Sequence, residues 1–265
     1  MIRIIVAILC LTPGVLSAQP PKGAAREAID DSAFVWIKRD APHLRLYFPT
    51  GSYAAAHQEE LVQRCETART DILKVLGVKH FDDTVDVFFV ENRDQMKLLT
   101  GYPVTGFAAR EDRAAFLMTN PDWRAFERHE MMHVYAHNTW GPASGAWVEE
   151  GLAQFMDGRC GAYSVDDVCR ALSNTYVPMD TLTTQFRQLN DLKAYMQAAS
   201  IVGYIYRQYG RDATRDVWQH GVDVVPKITG ESVPAFAEAW WRQLTERAKP
   251  VSKADAMAIL KKGCG

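Results

Sequence analysis

The chain has 265 residues, 48% of them hydrophobic and 23% charged, with a formal net charge of −2. That composition belongs to a globular protein, and the length after an N-terminal leader suits one domain with ample apolar content for a core. The near-neutral, slightly acidic balance leaves no basic footprint for nucleic acid, and no run beyond the N-terminus approaches the ~20 apolar residues of a membrane span.

Residues 1–18 read as a secretory signal peptide. Arg3 supplies the charge, Ile4 to Leu16 a short apolar stretch broken by Pro13-Gly14, and Leu16-Ser17-Ala18 a small-residue exit. The expected destination is secreted or periplasmic, with residues 19–265 forming a single domain. Removing the leader leaves Cys65, Cys160, Cys169 and Cys264, an even set that favours disulfides in an exported chain. Three connectivities are open. Proximity in sequence favours Cys160–Cys169, which leaves Cys65 with Cys264.

The segments 34–38 and 43–47 are strand-like, the second with apolar alternation at Leu44, Leu46 and Phe48. A long helix is predicted over 53–76, where Leu61, Cys65, Ala68, Ile72 and Leu76 make one stripe and Gly77 a stop. Val85 to Val90 reads as a buried strand, Asn92 opens a short helix to Leu99, and Gly106 to Met118 is a hairpin turning at Glu111-Asp112. Asn120-Pro121-Asp122 has the form of a helix start, which predicts a helix over about 123–138 ended by Gly141-Pro142. A second helix over about 144–157 follows, then helices over 192–209, 212–220 and 233–249, with a short one near 254–261. Strands early and helices late make the class α+β.

The first of the two middle helices carries His129-Glu130-Met131-Met132-His133. Two histidines in an HExxH spacing share one helical face, so both imidazoles can reach one zinc ion while the glutamate meets its water as general base. A catalytic zinc takes three protein ligands and keeps one position open. His137 is on the same face, but it stands eight residues from His129, roughly 12 Å of helix rise, too far for one ion. The next helix offers Glu149 and Glu150. Neighbouring helical residues point about 100° apart, so only one of them can face the metal, and periodicity does not choose.

HExxH followed by Trp147-Val148-Glu149-Glu150-Gly151-Leu152-Ala153-Gln154-Phe155 resembles the gluzincin metallopeptidases, the group that includes thermolysin and aminopeptidases. The likeness extends with falling specificity to Ala194–Ser200 and to the 105–118 hairpin, covering about 44–244. It implies that Glu150, the glutamate before the glycine, is the third ligand. Glu149 is then left to solvent or to orienting a ligand, and Gly151 lets the two metal helices approach. It also implies a two-lobed, thermolysin-like architecture, with an N-terminal mixed sheet and helices (about 33–138), a helical C-terminal lobe (about 144–250) and the active-site cleft between them. In that family the edge strand binds extended substrate backbone; here the hairpin reads equally as structural. Glu127, where zinc peptidases usually have an uncharged residue, is expected to pair near Arg128 or to sit on an exposed flank.

The resemblance implies hydrolysis of a peptide or protein substrate by zinc held on His129, His133 and Glu150, with Glu130 as base. Tyr195 is the first candidate for stabilising the oxyanion, with Tyr204 and His220 behind it, and each also reads as a packing residue. The Gly106-Phe107-Ala108-Ala109 stretch lacks the glutamate with which aminopeptidases of this clan hold a free amine in a comparable strand, which favours internal cleavage or an unusual substrate. A non-catalytic peptide-binding module and a zinc hydrolase of a non-peptide amide or ester, such as a cell-wall component, are the other function classes that fit.

Overall fold

The computed structural model describes residues 23–173, 175–189 and 191–262. The leader expected at 1–18 and Cys264 lie outside the described residues. The first half alternates short helices with strands: α1 (Gly23–Asp30), β1 (Trp36–Asp40), β2 (Leu44–Pro49), α2 (Tyr53–Ala56), α3 (Gln58–Leu76), β3 (Val85–Val90), α4 (Arg93–Thr100), β4 (Gly106–Ala109) and β5 (Ala114–Met118). The second half is helical apart from one small ribbon: α5 (Glu127–Trp140), α6 (Ala146–Asp157), β6 (Arg159–Cys160), β7 (Tyr163–Ser164), α7 (Val165–Leu172), α8 (Met179–Thr184), α9 (Asp191–His220), α10 (Val225–Thr229), α11 (Val233–Arg247) and α12 (Lys253–Lys262). The class is therefore α+β.

The main sheet has the order β1-β2-β3-β5-β4 and is mixed. The strands β2, β3 and β5 run parallel, and the antiparallel strands β1 and β4 form its edges. Every residue of β2, β3 and β5 is buried because both faces are covered. Leu44, Leu46, Phe48, Val85, Val87, Phe89, Ala115 and Leu117 face the large core shared with α3, α5 and α6. Tyr47, Phe88, Phe116 and Met118 face a smaller core under α1 and α4. The two-residue period of a strand divides the side chains between these layers. Across β2 and β3, Arg45 and Asp86 form a buried two-pronged ion pair, Nε to Oδ1 at 2.7 Å and Nη2 to Oδ2 at 2.8 Å.

Local signals account for most element ends. Gly77, Gly101 and Gly158 close α3, α4 and α6 in the left-handed conformation, which a residue without Cβ adopts at little cost. Asn92 caps α4 by accepting from the Asp94 and Gln95 amides. The hairpin forms with Ala109 opposite Ala114. The helix predicted over 53–76 is two, because His57 leaves helical geometry after a first turn capped by Ser52. The strand expected at 34–38 begins at Trp36, since the Phe34 amide turns back to the Asp31 carbonyl. The helices expected over 192–209 and 212–220 both form, and α9 is these two joined across a kink at Gly210, whose φ of 84° and ψ of 179° are not helical.

Two expectations fail for reasons of packing. The helix predicted from 123 begins at Glu127. Asn120 uses its side chain elsewhere, accepting from the Asp122 amide and donating to the Glu91 carbonyl, while its backbone bridges Trp123; these bonds tie 119–123 to the end of the sheet. Neither expected disulfide is formed, because Cys65 and Cys169 are free and buried. Cys65 belongs to the apolar stripe of α3, and Cys169 packs in the core beneath α7. Cys160 is disulfide-bonded, so its partner is neither of them. Among the described residues no helix is long and apolar enough to cross a membrane.

Candidate metal centre

His129 and Glu130 stand in the first turn of α5 and His133 one turn later, with Glu150 arriving from α6. The loop that returns the chain from α5 to α6 is pinned by the far end of α9. Trp218 Nε1 donates to the Gly141 carbonyl, Gln219 Nε2 to that of Trp140, and the Ser144 amide to that of Trp218. Behind α6 lies α9, packed so closely at Gly151 that a Cβ there would sit 2.9 Å from the Ala198 carbonyl oxygen. This corrects the sequence expectation: Gly151 serves the α6–α9 contact rather than the α5–α6 one, because it points away from α5 when its neighbour Glu150 points toward it.

Glu150 Oε2 lies 3.3 Å from His129 Nε2 and 3.4 Å from His133 Nε2. The three ligand atoms all lie within 4.8 Å of one another. Two donors bound about 2.1 Å from a tetrahedral ion are about 3.4 Å apart, so the spacing of Glu150 from each histidine is that of two ligands on one small divalent cation. The two imidazole rings are nearly perpendicular, at 75°. Helix periodicity left Glu149 and Glu150 undecided; in the structure Glu150 joins the two histidines. His137 stays out of the group.

Electrostatics bind the cluster together. Burial works against an ionised Glu150, yet the adjacent His129 and His133 outweigh it and hold the carboxyl well below its usual range. Burial alone would lower His129, but Glu150 and the Glu130 charge push it up to about 9. Protons and a cation would therefore compete for the same donors, so binding of a metal here would release protons. Burial pushes the Glu130 carboxyl up, opposed by the two histidines.

Glu130 sits directly under the edge strand: a Cβ on Gly106 would meet its Oε1 at 2.2 Å. Because Ala108 faces the main core while Phe107 and Ala109 face the smaller one, β4 turns a side without bulky groups toward α5. The flank of β4 away from β5 has no strand partner among the described residues. Gly106 as a functional residue was missed in the sequence, although a glycine inside a strand pattern is a signal of close approach.

The surroundings depart from expectation in one respect. Glu127 is buried, not on an exposed flank, and pairs with Arg64 of α3 at 2.5 Å, while Arg128 pairs with Asp71 at 2.6 Å. An inward position on α5 tolerates a carboxylate because α3 brings a cation to it. Of the candidate oxyanion donors, Tyr195 is partly buried on α9 with its ring 5.2 Å from that of Phe186. Tyr204 packs against Tyr209 and Phe236, and His220 is exposed with Nδ1 at the Asp216 carbonyl.

No protein-family model matches the chain, and no curated protein matches it at a significant level.

Proposed function

We propose that this protein is a zinc-dependent peptidase, exported from the cell, that hydrolyses peptide bonds with Glu130 as general base. The observation that carries the reading is the convergence of His129 Nε2, His133 Nε2 and Glu150 Oε2 within 4.8 Å of one another, with the Glu130 carboxylate beneath an open sheet edge. Oxygen and imidazole donors in a three-ligand set are the usual holders of catalytic zinc. On this reading the sheet-bearing half and the helical half are the two lobes of a thermolysin-like, gluzincin architecture.

His129, His133 and Glu150 would hold the zinc, which would supply a water of pKa about 7 and a Lewis acid for the scissile carbonyl. The chain supplies the rest. An extended peptide pairs with the free flank of β4, whose unpaired amides and carbonyls are a template for a further strand. Gly106 and Ala108 leave that flank clear, so the scissile bond can lie over Glu130. Glu130 accepts the proton of the attacking water and returns it to the leaving amine. Tyr195 is the proposed hydrogen-bond donor to the oxyanion; its loss would cost ~10²–10³ in rate, and an unchanged rate in Tyr195→Phe removes it from the scheme.

The test is incubation of the protein and its Glu130→Gln variant with a diverse peptide mixture, read by mass spectrometry. Cleavage by the parent alone supports the assignment, and the cut sites distinguish internal from terminal action. Equal cleavage by both refutes Glu130 as base. Cleavage by neither overturns the peptidase reading in favour of a non-peptide amide or ester, or of binding alone.

A further inference from the structure

His133 is 4% exposed, and its Nδ1 has no hydrogen-bond partner. An imidazole that binds a metal through Nε2 carries its proton on Nδ1, and that buried N–H needs an acceptor to fix the tautomer and the ring's orientation. The acidic oxygen facing it is Glu149 Oε1, at 3.8 Å. Glu149 is in turn held by Arg110, whose Nε lies 2.5 Å from the same oxygen. Arg110 belongs to the turn of the β4–β5 hairpin and is fastened to α5 as well, because its carbonyl accepts from Asn138 Nδ2 at 2.8 Å. One arginine thus ties the turn of the edge hairpin to both helices of the metal centre.

We infer that Glu149 and Arg110 are positioning residues for the metal ligand His133: Glu149 accepts a hydrogen bond from Nδ1–H, and Arg110 keeps that carboxylate aimed and linked to the hairpin. The inference rests on the metal-centre reading above and extends it to two residues outside the ligand set. Held by Arg110, the glutamate beside the ligand is only 13% exposed in its side chain rather than turned to solvent. Closing the 3.8 Å separation to a hydrogen bond takes a movement of about 1 Å or less.

The experiment is chelator-competition titration of the full chain with Zn²⁺ and Co²⁺, comparing the parent with Glu149→Gln, Arg110→Met, the double variant and Glu150→Gln. Loss of an orienting partner typically weakens metal affinity about 10–100-fold, and Glu149→Gln is expected in that range. Arg110→Met is expected to shift affinity in the same direction by less, and the double variant to be no weaker than Glu149→Gln, because the arginine acts through the carboxylate. The Co²⁺ visible spectrum separates the roles: Glu149→Gln keeps the parent's band shape, whereas Glu150→Gln, which loses a ligand, does not. Melting of each variant in excess chelator checks the fold, and if Glu149→Gln does not fold, Arg110→Met carries the test alone. Affinities of Glu149→Gln and Arg110→Met within twofold of the parent, or an altered Co²⁺ spectrum in Glu149→Gln, overturn the inference while leaving the metal centre intact. A parent that binds neither ion overturns the functional reading and this inference with it.

Discussion

Gly106→Ala tests the proposed role of Glu130 by displacing its carboxylate while leaving the three candidate metal ligands in place. The added Cβ would stand 2.2 Å from Glu130 Oε1, 2.6 Å from its Cδ and 2.7 Å from its Cγ. Ordinary carbon contacts lie at about 3.5–4.0 Å, so the carboxylate has to withdraw by about 1 Å or more. What moves is the end of a flexible side chain, and the strand conformation at Gly106 accepts an L residue, so the fold should be undisturbed and alanine even slightly favoured in the strand. The catalytic consequence is larger, because a misplacement of about 1 Å costs roughly 10²-fold in rate, or about 2.7 kcal/mol of barrier. On a peptide that the parent cleaves, kcat should fall by that order while KM, melting temperature and Zn²⁺ affinity stay close to parental. Full kcat in Gly106→Ala would show that Glu130 need not occupy its observed place, and the assignment of the base would fall with it.

At Gly151 the same substitution meets backbone. A Cβ would lie 2.9 Å from the Ala198 carbonyl oxygen and 3.0 Å from Val202 Cγ2, so α6 and α9 must separate; Gly151→Ala should lose about 1–3 kcal/mol in denaturant unfolding. Asp86→Asn removes the carboxylate charge paired with the buried Arg45 guanidinium and should cost up to about 3–5 kcal/mol, whereas replacing both partners with apolar residues of similar volume should cost much less. Burial raises Asp167, but the hydrogen bonds from Ser164 and the Lys249 amide outweigh it and hold the carboxyl below its usual range. Its contribution is therefore full above the ordinary aspartate range and lost as the pH falls through the depressed value. Asp167→Asn should cost about 1 kcal/mol near neutrality, and urea titrations should show the gap to the parent closing in acid.

Local chemistry is what the sequence displayed. The stops at Gly77 and Gly158, the cap at Asn92, the alternating strands and the hairpin all depend on a few adjacent residues, and each formed close to its predicted place. Asn120-Pro121-Asp122 shows the limit of that reasoning. Its side-chain bonds to nearby backbone are real, but they serve a turn at the sheet's end, because β3 and β5 compete for the same groups. The cysteines failed in a similar way, since proximity in sequence says little about which sulfurs the core takes up.

By itself the sequence determined the α+β class, two histidines on one helical face with Glu130 beside the first, and a carboxylate pair on the following helix. Those follow from periods of two and 3.6, which are properties of a single strand or helix. Only the tertiary structure decided that Glu150 meets the histidines while Glu149 meets Arg110, that Gly106 lies over Glu130, and that Gly151 belongs to α9. Each of these depends on how one element is rotated and set against another, and that is fixed by packing among residues far apart in the chain.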